Sequence, residues 1–372
     1  MPTHSPSVPQ VLRLTTSQIA QFKRVGFVVL PGVIDPELCR QARDQLWETI
    51  AESRPSMKRD DHSTWVPFTE EEQASYMRPV DGGDPYFSGK GHSFCIRNGP
   101  EDLLLDIGAR SLWDVAEQLL GEGEVVWPAG LDESGFTTGP CLINQNVVKY
   151  LVVHLGHEMK DWPKEGTGRT EKLRLPKTGP ASFTAQGTRG MYCTLPNSPA
   201  RTADSRPGPF PEAHAGEGLY ESRQFLQSVV YFDDVPPGAG GTTLWPGSHT
   251  RIWNHWEPVN SSLTAAEKQA ARTAFVAGED SPRFVGFTDA PIGDLKADTT
   301  PVMTHGPSGS VVLWQSHMLH MAGQNTSSDV IRQATFYSFM KTRESIPDEI
   351  AMDNPSGDIW RDWSDEVRAV GV

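Results

Sequence analysis

The sequence predicts a mostly β protein with helices packed outside it, a sandwich or barrel of the α+β class. Three observations predict this. The 372 residues include 34 Gly and 30 Pro, more turn formers than a helical bundle tolerates. Short runs rich in β-branched and aromatic residues recur through the second half, at 147–153, 228–232, 242–245, 310–314 and 333–339. Turn signals separate them, notably the Pro- and Gly-rich stretch 234–241 and the triplet Pro246, Gly247, Ser248.

Residues 1–13 read as a loose tail. Thr16 and Ser17 offer a cap for a short helix through Phe22, which Gly26 stops. Phe27 to Leu30 is an apolar β-like run closed by Pro31 and Gly32. Asp35, Pro36 and Glu37 open a second helix, with a capping side chain, Pro in the first turn and acid near the positive end of the dipole. That helix reaches about Glu52 and sets Leu38, Ala42, Leu46 and Ile50 at helical spacing. Residues 111–120 repeat the pattern with Leu112, Val115, Leu119 and Leu120. The polar stretch 54–92 and the Pro-, Gly- and Arg-rich stretch 158–212 read as lid loops, and 262–275 as a helical insert among the strands. The expected organisation is one domain over 14–345 and a C-terminal extension over 346–372.

Charge narrows the partners. Lys plus Arg number 33 against 47 Asp plus Glu, a net charge of −14, which disfavours a nucleic-acid polymer or an anionic membrane surface. One local basic pocket for a small anion remains compatible with it. No apolar run is long enough to span a bilayer, and the first residues lack the basic and apolar regions of a secretory signal. Cys39, Cys95, Cys141 and Cys193 form no CxxC pair, so neither a disulfide framework nor a thiolate zinc site is expected. A cytoplasmic setting fits; the oligomeric state stays open.

Chemistry concentrates in the strand-rich half, in three places: His214, Ala215, Gly216 and Glu217; the stretch from Val229 to His249; and the stretch from Gly309 through His320 and Asn325 to Arg332. Two histidines at strand ends can share one metal, because a β barrel brings such ends together. An open imidazole site without thiolate suits non-haem Fe(II). An arginine on the strand after the second histidine can grip a carboxylate with two parallel hydrogen bonds. His317 is the rival of His320, and His249 reads as a turn former. His154, His157 and His305 have no assignable role. Tyr231, Trp245 and Trp314 read as core aromatics.

In the order and spacing of its segments, the chain resembles the phytanoyl-CoA dioxygenase family of Fe(II)/2-oxoglutarate oxygenases. The segments are Gly26 to Pro36, Asp233 to His249, and His320 through Asn325 to Arg332. The resemblance implies a double-stranded β-helix, a jelly-roll or cupin-like barrel, with iron at one open end. It implies that His214 and His320 are the metal ligands and that Arg332 binds the distal carboxylate of 2-oxoglutarate. Lys149 matches a position near that cosubstrate. The family's usual metal triad has Asp or Glu two positions after the first histidine. Here that position is Gly216, which has no side chain to offer. The resemblance extends to the iron halogenases of this type, in which chloride occupies the vacated position. It implies Fe(II), 2-oxoglutarate, O2 and chloride as cofactors, and chlorination of an unactivated C–H bond, as in antibiotic biosynthesis. Two other readings stay open: a hydroxylase in which Glu217 supplies the third ligand, and a non-catalytic binding protein.

The substrate is less legible. The stretch 169–206 gathers arginines and lysines, among them Arg189 and Arg201, in an otherwise acidic chain. With Arg97 and Lys149 they suggest a small anionic substrate, such as a nucleotide.

Overall fold

In a computed structural model of the chain, residues 12–72, 87–96, 103–104, 106–122, 142–143, 191–198, 224–254, 293–340 and 358–372 are described. The first helix, α1 (Thr16–Val25), starts at a capping box: Thr15 Oγ1 accepts the Gln18 amide, and Gln18 Oε1 accepts the Thr15 amide. Gly26 ends it in the left-handed region, with φ of 88°. Strand β1 (Phe27–Leu30) follows. Helix α2 (Pro36–Ser53) is capped by Asp35, as its sequence predicts, and buries Cys39, Ala42, Leu46 and Ile50. Helix α3 (Ser111–Leu120) is preceded by one π-helical turn over 106–110. The last helix, α4 (Asp365–Ala369), lies in the C-terminal segment.

The strands form two antiparallel sheets. The large one joins β1 to β9 (Val311–Gln315), β6 (Gln224–Tyr231), β11 (Arg332–Met340), β5 (Met191–Thr194), β3 (Ser93–Ile96) and β2 (Phe87–Lys90), in that order. The two-residue β4 (Leu142–Ile143) also pairs with β11. The small sheet has β7 (Thr242–Leu244) between β10 (His320–Ala322) and β8 (Val302–Met303). The long polar stretch 54–92 thus ends in a strand: residues 87–90 pair with β3, and sequence alone placed them in a loop. The expected helix over 262–275 and the strand over 147–153 lie outside the described residues.

Alternation along the strands assigns each sheet face to a core. In β9, Val311 and Leu313 pack with the helices and with Leu46, Ile107 and Leu119, whereas Val312 and Trp314 pack toward the small sheet. Strand β6 divides likewise, Val230 on the helical side and Val229 and Tyr231 on the inner side. The inner cluster is completed by Leu244 of β7 and by Val235, Ala239 and Met318. Beyond the small sheet a third cluster holds Trp245, Ile252, Leu295, Leu319 and Met321. The layers are therefore helices, large sheet, small sheet, and a cover that includes helical residues 248–254 and 293–298. This is a mixed α+β fold with antiparallel sheets; among the described residues the sheets do not close into a barrel.

A polar link crosses the inner layer. Tyr231 Oη accepts the Thr242 amide at 2.7 Å and lies 2.7 Å from Thr304 Oγ1, which donates to Thr242 O at 2.9 Å. The backbones meet closely here. A Cβ on Gly241 would lie 1.8 Å from Thr304 O, and one on Gly323 would lie 2.1 Å from Gly241 O.

The C-terminal segment belongs to the helical core. Trp360, Trp363 and Val367 are buried in it, and the Phe22 ring sits 5.7 Å from Trp360 and 5.4 Å from Trp363. Lys23 Nζ donates to Val367 O and Val370 O at 3.0 and 2.6 Å. Among the described residues no helix is long and apolar enough to cross a membrane.

His249 sits behind Gly26, fully buried, with Nε2 3.0 Å from Lys23 O. A Cβ at Gly26 would meet Met318 Sδ at 2.1 Å and His249 Nδ1 at 2.5 Å. Gly26→Ala combines left-handed strain with overpacking and should cost about 2–4 kcal/mol, read by denaturant unfolding. Burial pushes His249 down to about 4. Its neutral form is the folded one, so the unfolded chain takes up the extra proton between pH of about 6.5 and 4. Stability should fall as pH drops through that window and level off below it. In melting temperatures measured across the window, His249→Gln should flatten the slope.

Candidate active site

The inner layer presents two of the residues singled out in the sequence. His320 opens β10 opposite Leu244 of β7. Its neighbours Leu319 and Met321 point into the outer cover, so the imidazole takes the inner face, where Trp314 lies 5.4 Å away. The ring is 5% exposed, and Nδ1 stands 2.8 Å from Met318 O. A carbonyl only accepts, so Nδ1 carries the proton and Nε2 is the lone-pair nitrogen. That is the tautomer of a metal-ligating histidine oriented by a backbone carbonyl.

Arg332 begins β11 on the facing sheet, opposite Thr194 of β5. It is 4% exposed. Nε donates to Gly240 O at 3.1 Å and Nη2 to Thr194 Oγ1 at 2.8 Å. The guanidinium carbon lies 6.0 Å from the centre of the Phe336 ring, two strand repeats further along the same face of β11. Phe336 in turn meets Trp314 edge-on at 6.4 Å. Arg332, Phe336, Trp314 and His320 thus form a continuous row that runs from the large sheet to the small one. Trp314 Nε1 is buried and has no hydrogen-bond partner among the described residues.

Asn325 holds the segment before Arg332 in place. Its Nδ2 donates to Thr194 O at 3.0 Å and Val330 O at 2.7 Å, and its Oδ1 accepts from the Ser327 amide and hydroxyl. It is fully buried. The side chain therefore ties β5 to the start of β11, the two strands whose register sets Thr194 against Arg332.

The rival histidines fall elsewhere. His317 Nδ1 is 2.9 Å from Gln315 Nε2, and its ring meets Trp253 edge-on at 5.3 Å, on the side of the outer cover. Burial, with His249 nearby, pushes His317 down to about 4. His249 packs against α1, and His305 is exposed. Sequence reasoning missed Thr194 and Gly240, whose contacts with Arg332 come from strand pairing across long separations; its reading of Trp314 as a core aromatic agrees with the structure, where Trp314 is fully buried in the inner cluster. His214, Gly216, Glu217, Lys149, Arg97, Arg189 and Arg201 lie outside the described residues. Among the described residues no three His, Cys, Asp or Glu side chains gather as a metal cluster. Of the candidate site residues that are described, His320 and Arg332 are the ones found on the inner layer, linked through Trp314 and Phe336.

The chain is similar to several solved structures. Against the non-heme alpha ketoglutarate dependent carbocyclase SnoK from nogalamycin biosynthesis, identity is 14% and TM-score 0.41, covering 88% of this chain and 84% of that one. EctD from S. alaskensis, solved with 2-oxoglutarate and 5-hydroxyectoine, has 14% identity and TM-score 0.41 over 90% of this chain and 80% of that one. AviO1 from Streptomyces viridochromogenes Tue57 has 14% identity and TM-score 0.41 over 90% of this chain and 96% of that one. No curated protein matches the sequence. Residues 185–334, the span that carries His214, Gly216, His320 and Arg332, match the family model of phytanoyl-CoA dioxygenase (PhyH).

Proposed function

We propose that this chain is an Fe(II)- and 2-oxoglutarate-dependent enzyme that chlorinates an unactivated C–H bond of a small anionic metabolite. In this reading the two sheets are those of a double-stranded β-helix. What supports the enzyme class is that the inner layer presents both His320 and Arg332, joined through Trp314 and Phe336, within the span matched by the phytanoyl-CoA dioxygenase model. For the halogen it is Gly216, where a carboxylate ligand is expected.

The residues present suit those groups. His320 offers Nε2 to a metal because Met318 O holds the proton on Nδ1. His214 is the second ligand in this reading, and Gly216 leaves a coordination position for chloride. Chloride carries the same charge as the carboxylate it replaces, so the electrostatic balance at a dication is kept. When bound, iron and 2-oxoglutarate supply the activation of O2 that C–H attack requires. Arg332 contributes a fixed, buried cation; Gly240 O and Thr194 Oγ1 hold the guanidinium plane, so binding a carboxylate there needs little reordering. Trp314 Nε1 adds a buried N–H beside His320, a donor suited to an anionic group in the inner layer. Lys149 is a second cation for the cosubstrate, and Arg97, Arg189 and Arg201 are the candidates for the substrate's anionic group.

Arg332→Ala should weaken 2-oxoglutarate binding by about 2–5 kcal/mol, because it strips the partner from a buried carboxylate. Anaerobic calorimetry on the Fe(II)-loaded protein reads this without turnover, and Thr194→Val should give a smaller loss in the same direction. Unchanged affinity in Arg332→Ala would remove the assignment.

Halide identity tests the finer claim. With bromide in place of chloride, product mass should change accordingly, and halide should shift the absorption of the iron–2-oxoglutarate complex. Gly216→Asp should abolish both responses. If halide moves neither spectrum nor product and Glu217→Ala destroys iron binding, the third ligand is Glu217 and the enzyme is a hydroxylase. If neither iron nor 2-oxoglutarate binds, the binding-protein reading takes its place.

A further inference from the structure

Residues 323–331 join the strand of His320 to the strand of Arg332, and Asn325 within them is fully buried. Its amide is saturated. Nδ2 donates one N–H to Thr194 O at 3.0 Å and the other to Val330 O at 2.7 Å. Oδ1 accepts from the Ser327 amide at 3.1 Å and the Ser327 hydroxyl at 2.5 Å. With both donors and both lone pairs in use, the side chain has nothing left for a ligand. Any part it plays at the site is exerted through its neighbours.

Those neighbours are the two groups that hold the Arg332 guanidinium, Thr194 Oγ1 at Nη2 and Gly240 O at Nε. Asn325 reaches both. Its bond to Thr194 O spans 131 residues of chain, so it closes no local turn. On the other side, Gly323 N donates to Gly241 O at 3.0 Å and Thr326 N to Gly238 O at 2.7 Å, which lays the Asn325 segment along the turn that carries Gly240. The two backbones touch there: a Cβ on Gly240 would lie 3.0 Å from Asn325 Cβ. A guanidinium gains its full strength toward a carboxylate only when its plane is fixed for two parallel hydrogen bonds.

We infer that Asn325 is a positioning residue for the cosubstrate, on the reading that Arg332 takes its distal carboxylate: by holding Thr194 and the 238–241 turn together, it sets the plane of the guanidinium. Loss of its amide leaves the charge of Arg332 in place and spoils the aim.

Two probes separate aim from general bracing. 2-Oxoglutarate carries the distal carboxylate; 2-oxopentanoate has the same carbon chain and the same 2-oxoacid end without it. Both are titrated anaerobically into the Fe(II)-loaded full chain, and the readout is the ratio of their dissociation constants. The wild type should favour 2-oxoglutarate by about a hundredfold. Asn325→Ala should shrink that ratio by about tenfold and leave 2-oxopentanoate binding unchanged. Asn325→Asp, which keeps the acceptor and loses both donors, should act in the same way, and Ser327→Ala should give a smaller shift of the same sign. If Asn325→Ala does not fold, these two variants decide by the same ratio. An unchanged ratio in the folded variants, beside a wild type that discriminates, overturns the role of Asn325 and leaves that of Arg332 standing. Equal weakening of both acids makes Asn325 a brace of the fold alone and overturns it too. A wild type that binds both acids equally removes the Arg332 assignment, and the role of Asn325 falls with it.

Discussion

The large sheet has no solvent face at its centre, and that constraint governs the rest of the molecule. All five residues of β9 are buried, and its partners β6 and β11 are buried along most of their length. Each such strand must supply apolar side chains to two cores at once, so a slip by one residue would exchange the two sets. Helices α2 and α3 answer one face with Leu46, Leu112 and Leu119; the small sheet answers the other with Leu244. The C-terminal segment joins the first of these cores, where Trp360 and Trp363 pack on Phe22 and on each other and Trp360 also meets His249 edge-on. Gln118 joins these parts in polar terms: it exchanges two hydrogen bonds with the Leu14 backbone, and its Nε2 also meets Glu366.

The inner face of the same sheet explains why the polar groups of the inner layer are where they are. A layer filled wholly by large apolar side chains would leave no space for chemistry. Here Ala334 stands between Arg332 and Phe336 on the inner face of β11, and the Tyr231 hydroxyl reaches across to Thr242 and Thr304. Neighbouring strands of the small sheet approach closely at Gly241 and Gly323, next to the turn that carries Gly240. That turn delivers Gly240 O to Arg332 Nε, so the backbone that leads into β7 of the small sheet also orients the guanidinium on the large one. Moving the small sheet away would loosen Arg332 and His320 together.

How much of this was legible depended on whether the signal was local. The caps at Asp35 and Gly26, the stripe Ala42, Leu46, Ile50 and the strands around Val229, Val312 and Thr335 follow from neighbouring residues, and the structure has them. Strands β3, β5 and β10 were not foreseen. They are three or four residues long, and their stability comes from partners far away in sequence; the pairing of Thr194 with Arg332 is one example. His320 was preferred to His317 as a candidate ligand because of the strand before it and of Asn325 and Arg332 after it. The reason Asn325 belongs to that pattern appears only in three dimensions, where its amide bridges Thr194 O and Val330 O. No local rule reports that an asparagine will tie two strands separated by more than a hundred residues. The arrangement of His214 and Gly216 relative to this frame rests on sequence resemblance alone.

The inner layer and a cavity on the outer face of the large sheet, lined by Trp65, Asp234 and Gln333, share a single strand end, and this follows from strand alternation. Arg332 faces the inner layer and Gln333 the outer cavity, because successive side chains of β11 leave opposite faces of the sheet. Val330 and Ile331, just before them, line the outer cavity, while Val330 O accepts from Asn325, which braces the inner layer. Across the sheet, Gln333 O accepts the Phe232 amide, one residue after Tyr231. A ligand that displaced residues 329–333 on the outer side would therefore act on the backbone that sets the guanidinium. The hydrogen bonds of Asn325 oppose such a displacement: Nδ2 is committed to two carbonyls and Oδ1 to Ser327, so shifting the strand breaks several bonds in a buried setting at once. The fold therefore places the inner-face Arg332 and the outer-face Gln333 one residue apart along the chain while bracing the strand that carries both.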